Sequence, residues 1–154
     1  MHSFVLNLRE PLHLMMKMKT TLTVLLIMEL YGLSSGLKQH FFVSEKKSWS
    51  SAQDHSLEYC RKQYNDLASL SSLYIMDSAL GQSTQAETEY VWTGLRFLAG
   101  EWFWVNGHDL DYTAWYQKVL PQCPARDLHC GALDMKTMLW THRNCEEKFH
   151  FLCQ

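Results

Sequence analysis

The sequence predicts an α+β domain behind an N-terminal leader, and three observations point there. Residues 91–107 read as two short strands, with Val91, Thr93 and Leu95 alternating with Trp92, Gly94 and Arg96, then Trp102 and Trp104 alternating with Phe103 and Val105. Two stretches at helical spacing precede that pair, one ending near Tyr64 and one over residues 78–89. Two further strand-like runs follow, over residues 138–142 and 149–153. The 154 residues leave room for one domain, and 47% hydrophobic with 13% aromatic residues excludes a disordered chain. A formal charge of −2 gives no electrostatic case for nucleic acid or an anionic membrane surface as partner.

In chain order, Lys17 and Lys19 precede an apolar run at residues 22–30, broken by Thr23 and Glu29, and small residues follow at Ser34 and Gly36. A basic flank, an apolar core and a small-x-small end describe a secretory signal peptide over residues 1–36, cleaved after Gly36. A signal anchor is the alternative, but the run is short for a bilayer and Glu29 interrupts it. The stretch before Lys17 is long for such a leader, so Met16 and Met18 stand beside Met1 as starts. The mature chain, residues 37–154, is mildly acidic, is expected outside the cell, and has no membrane segment of its own. It carries all five cysteines: Cys60, Cys123, Cys130, Cys145 and Cys153. Secreted thiols oxidise, so four should pair and one is left over; four cysteines allow three pairings and five allow more.

Within the mature chain, residues 40–44 read as a first strand. Ser48 or Ser50 caps a helix to about Tyr64, with Ala52, Leu57, Tyr59 or Cys60, and Tyr64 on its apolar face. Residues 67–70 lead into a loop or short strand. Asp77 is placed to cap the second helix, which Gly81, Ser83 and Thr84 weaken. In the strand pair, Trp92 and Trp104 are assigned to the core, and Gly94 marks a close backbone approach or a bulge. Residues 107–130 show no sustained period, and structureless loops of that length usually carry function.

Four pieces in order then carry a resemblance. They are Trp49-Ser50-Ser51-Ala52-Gln53 with the run from Cys60 to Leu70; Trp92-Thr93-Gly94-Leu95; Trp102-Phe103-Trp104 with Gly107, ahead of Tyr112 and Trp115; and Cys130, Trp140, Cys145 and Cys153. Together they resemble the C-type lectin-like domain over residues 41–153, in its short, secreted, single-domain form, with fish secreted lectins the nearest kind. The resemblance implies two helices flanking antiparallel β-sheets, a long loop region that carries the ligand site, and bridges Cys60–Cys153 and Cys130–Cys145. Cys123 is then the remainder, set between Pro121 and Pro124. It is expected either to be buried or to link a disulfide-bonded dimer. The family's first cysteine falls seven residues after the tryptophan, where this chain has Ser56; Cys60 comes eleven after Trp49, which reads as an α-helix longer by about one turn.

Sugar-binding members of that family hold Ca²⁺ with carboxylate and amide oxygens, and calcium wants six to eight of them. The aligned tripeptide here is Leu120-Pro121-Gln122, in which only Gln122 offers a side-chain oxygen. Leu128-His129 precedes Cys130 where an acid is expected, and Trp140-Thr141-His142 replaces Trp-Asn-Asp. The resemblance therefore implies a site without the usual Ca²⁺, and no cofactor is expected. Asp109, Asp111 and Asp127 read as solvated loop acids rather than a second cation site. His129 and His142 read as rim histidines rather than zinc ligands with Cys123, because no short metal-ligand spacing is present. No Gly-x-Ser-x-Gly, His-Glu-x-x-His or Cys-x-x-Cys motif points to an enzyme. Tyr112, Trp115, Tyr116 and Gln122 are the candidate ligand-binding residues, by stacking on a sugar ring or by forming a protein hot spot. The leading expectation is a secreted recognition module for a glycan or an extracellular protein. A subunit of a disulfide-linked assembly without sugar affinity is the alternative, and an ice- or mineral-surface protein of the same fold is a third reading.

Overall fold

The computed structural model describes residues 15–24, 39–49, 55–122, 124 and 127–154. The chain divides into two units, Met1–Leu37 and Lys38–Gln154. In the first, residues 15–24 form an exposed helix, and no described helix is long and apolar enough to cross a membrane. The expected cleavage point after Gly36 lies outside the described residues, as do Ser50, Ala52 and Cys123.

The second unit is α+β. Its elements in order are β1 (Phe41–Lys47), α1 (Ser56–Gln63), α2 (Leu73–Gln82), β2 (Tyr90–Leu98), β3 (Glu101–Trp104), β4 (Cys130–Asp134), β5 (Leu139–Arg143) and β6 (Phe149–Cys153), with 3₁₀ turns at Ser83–Gln85 and Tyr116–Lys118. The six strands form one sheet in the order β1-β6-β2-β4-β5, with β3 paired to β2. All ladders are antiparallel except β2 with β6, which run parallel through Val91↔His150 and Trp92↔Phe151.

β2 is the central strand, and its sequence shows why. Val91, Leu95 and Phe97 belong to one apolar cluster with Leu133, Trp140 and Leu152, while Trp92 on the opposite face belongs to another with Val43, Trp49 and Phe151. A strand buried on both faces reads apolar at nearly every position. Each buried indole on the second face has a partner: Trp92 Nε1 donates to the Lys47 carbonyl at 3.0 Å and Trp49 Nε1 to that of Thr93 at 2.7 Å. Gly94 has the close approach expected of it. A Cβ there would lie 2.9 Å from the Leu67 carbonyl oxygen, and the Gly94 N–H donates to the Ala68 carbonyl at 2.8 Å. The β2–β4 register also shifts between Trp92 and Arg96, around this glycine. The β2–β3 hairpin turns on Ala99 and Gly100, both at positive φ (55° and 92°), as a two-residue primed turn requires.

The helices differ from expectation at their starts. α1 begins at Ser56 behind His55 rather than at a serine cap near residue 48 or 50. Ser48 is buried, and its carbonyl accepts from the Ser56 N–H at 3.0 Å. The described helix holds eight residues, with Cys60 in its second turn, and the expected extra turn ahead of it falls on residues 50–54, outside the described residues. α2 spans Leu73–Gln82, capped by Ser72, whose Oγ accepts from the Ile75 N–H at 3.2 Å, so Asp77 lies inside the helix rather than at its cap.

Cys60 is bonded to Cys153 and Cys130 to Cys145, the pairs that the family resemblance implies. The first ties α1 to the last strand across 93 residues, and the second staples the start of β4 to the segment following β5.

Candidate functional site

The long loop leaves β3 and returns to β4, and among the described residues ahead of position 123 three contacts pin it. At its start, Asn106 Nδ2 donates to Ser69 Oγ at 2.9 Å, and Asn106 Oδ1 accepts from the His108 N–H at 3.1 Å. Ser69 is itself buried, so the pin reaches into the core. In its middle, the Trp140 N–H donates to the Ala114 carbonyl at 2.8 Å, and Trp115 packs on Trp102 and Trp140 with ring centroids 4.9 and 5.7 Å apart. Further on, Trp102 Nε1 donates to the Pro121 carbonyl at 2.8 Å. Between the second and third pins the chain makes a tight turn in which Gln117 and Lys118 both have positive φ. That turn leaves Tyr116 (54% exposed), Val119 (63%) and Leu120 (45%) facing solvent.

The third pin folds residues 120–122 across the β2–β3 hairpin and encloses a cleft of about 400 Å³. Phe97, Trp102, Leu110, Leu120 and Pro121 supply apolar walls, and Glu101 and Gln122 supply the polar groups. Trp102 is its centre: it meets Phe97 at 5.3 Å and His142 at 6.4 Å between ring centroids. Burial first, and then the positive charge of Arg143, hold the His142 imidazole below its usual pKa and favour the neutral ring. On the other side of β2, the half-buried Arg96 stacks over Trp49 at 5.1 Å and donates to the sulfurs of both Cys130 and Cys145. Arg96 therefore serves the disulfide and the core, away from the cleft.

Of the four candidate residues, Gln122 lines the cleft and Tyr116 is exposed, four positions before the cleft residue Leu120. Tyr112 is half-buried, edge-on to Trp140 at 5.7 Å, with its hydroxyl held above its usual pKa by burial and by Asp77. Trp115 is 4% exposed and packs on Trp102 and Trp140, so that it anchors the loop. A loop without period gave no way to tell an inward tryptophan from an outward tyrosine. Trp102, Phe97 and Leu110 were missed as cleft residues. For Trp102 a signal existed, since it shares the buried face of β3 with Trp104 at period two.

The side chains at the family's calcium positions do not fit a calcium ion. Leu120 and His129 offer no oxygen, Gln122 and Thr141 offer only neutral ones, and His142 is a ring nitrogen. Among the described residues no three His, Cys, Asp or Glu side chains gather as a metal cage. His129 and His142 instead pack against Phe97 and Trp102. Asp109, Asp111 and Asp127 are exposed.

The family described as the lectin C-type domain matches residues 45–154. The mouse secretory phospholipase A2 receptor is 37% identical over 67 residues, 42% of this chain but 4% of the receptor, so the chain spans only a small part of that relative. The snaclec echicetin subunit beta of Echis carinatus sochureki is 28% identical over 115 residues, covering 71% of this chain and 83% of that one. Among solved structures, herring type II antifreeze protein superposes with a TM-score of 0.63 at 20% identity, over 74% of this chain and 87% of that one, a likeness of fold. With the match running from β1 to the last residue, over the sheet, both bridges and the long loop, the chain belongs to the C-type lectin-like domain family.

Proposed function

We propose that the chain is a secreted recognition module that binds its partner through the long-loop face without calcium, and that it is not an enzyme. The observation that carries this is the cleft at Trp102: apolar walls with two polar groups, one wall supplied by a loop on which Tyr116, Val119 and Leu120 are exposed. Apolar surface rimmed by polar residues marks an interaction site, and an aromatic next to a pocket is the usual form of a hot spot. This composition favours a protein surface over a glycan, because a sugar demands several polar partners and the cleft offers only Glu101 and Gln122. The test is a screen of extracellular proteins and glycans in the presence of a chelator. Tyr116→Ala and Gln122→Ala should then weaken the ligand found by about tenfold or more without moving the melting temperature. Full binding by both variants would remove the long-loop face from the account. Residues 1–36 are proposed as the leader, so secreted material should begin at Leu37.

A second reading draws on the snaclec relative, which is by name one subunit of an assembly. Under it the chain pairs with a copy of itself or with another chain through Cys123, and a non-reducing gel of Cys123→Ser beside the parent protein decides between the two.

A further inference from the structure

The loop around the cleft carries more negative than positive charge. Glu101 lines the cleft, and Asp109 and Asp111 flank Leu110, whose side chain forms one wall. All three carboxylates are exposed, and none forms an ion pair with a described residue. Lys118 is the only lysine or arginine between residues 99 and 122. The nearest other cation in sequence, Arg96, points to the opposite face of β2 and is engaged with Trp49 and the disulfide. A cleft of about 400 Å³ with mostly apolar walls thus has one carboxylate, Glu101, in its lining, and the loop that contributes Leu110 and Leu120 to it carries Asp109 and Asp111 against Lys118.

A net negative charge on a loop beside an apolar cleft favours a partner of opposite sign. An acidic peptide or an anionic membrane surface would be repelled. A free cation would satisfy the carboxylates but leave the apolar walls unfilled. Resting on the long-loop face as the binding face, we propose that the cleft receives a cationic segment of a partner protein: one aliphatic or aromatic side chain seated between Phe97, Trp102 and Leu120, with Lys or Arg on either side reaching Glu101, Asp109 and Asp111. The apolar anchor supplies affinity; the flanking charges supply partner selection and a fast on-rate.

The experiment uses the mature chain and three fluorescent peptides of about ten residues that share a central Leu-Phe pair. The flanks are Lys in the first, Gln in the second and Glu in the third. The Lys peptide should bind with chelator present, the Gln peptide about tenfold more weakly, and the Glu peptide not at all. Raising salt to about 0.5 M should bring the Lys peptide down to the Gln peptide. Leu120→Asp should abolish binding and Glu101→Lys should weaken the Lys peptide about tenfold, both at unchanged melting temperature because both residues are exposed. Glu87→Lys, outside the loop, should change nothing. Equal binding by the three peptides, no binding by the Lys peptide at about 1 mM, or indifference to Glu101→Lys would each overturn the proposal. If the Lys peptide fails while another ligand is lost in Tyr116→Ala, the occupant is wrong and the face stands. If every ligand found ignores all the loop variants, the face itself is wrong.

Discussion

Trp102 connects the core to the candidate site through one side chain. Its ring is buried against Phe97 and Trp115, while its indole N–H reaches the Pro121 carbonyl and so fixes residues 120–122 above the hairpin. A buried indole N–H seeks a partner, and here the partner is loop backbone rather than sheet. The same hairpin carries a strained residue. Ala99 holds φ at 55°, a region that costs a residue with a Cβ about 1 kcal/mol, beside Gly100, which adopts it freely. Ala99→Gly should therefore raise stability by about 0.5–1 kcal/mol, or a few degrees in melting temperature, because the relief of strain outweighs the added unfolded-state entropy. A drop on thermal unfolding would show that the turn does not hold that φ in solution. At this scale the sequence was informative wherever period or sterics acted locally. Trp92 and Trp104 alternate into the core, and Gly94 stands where another backbone crosses. It was silent for Trp115 and Tyr116, adjacent in a loop, where only the contact with Trp102 and Trp140 decides which ring is buried.

At the scale of elements, the strands were easier to read than the helix ends. β2, β3, β5 and β6 follow alternation or aromatic enrichment. β4 escaped notice because Cys130-Gly131-Ala132-Leu133 is buried on both faces and shows no alternation. α2 was displaced in the reading because Asp77 looks like a cap, whereas Ser72 has the extended backbone and the accepting hydroxyl. The helix buries only Met76 and Ala79, too narrow an apolar stripe to fix its register from the sequence. β5 carries a pH-sensitive group beside the cleft. His142 has a folded pKa below its unfolded value of about 6.5. The unfolded chain thus takes up a proton first as pH falls. The stability held by neutral His142 is complete above about pH 6.5 and is lost as pH falls through that value toward the folded pKa. Melting temperature should decline between about pH 7 and pH 5, and His142→Gln should flatten that decline. An identical slope in the variant would mean that other groups account for it.

For the molecule as a whole, one strand with two buried faces divides the core in two, and the bridges Cys60–Cys153 and Cys130–Cys145 tie the periphery to it. The loop adds Trp115 to that core, and its exposed residues between Tyr116 and Gln122 are the part left to meet a partner. Here the loop closes a cleft with mostly apolar walls at Trp102, and among the described residues no three His, Cys, Asp or Glu side chains gather as a metal cage. Recognition without calcium is the central claim, and a melting curve taken with about 1 mM calcium and again with chelator tests it directly. The two curves should coincide. A site with a Kd a hundredfold below the calcium concentration would add about 2.7 kcal/mol to the folded state and raise the melting temperature by roughly 10 °C. A shift of that size would contradict the account and return the long loop to calcium-dependent binding.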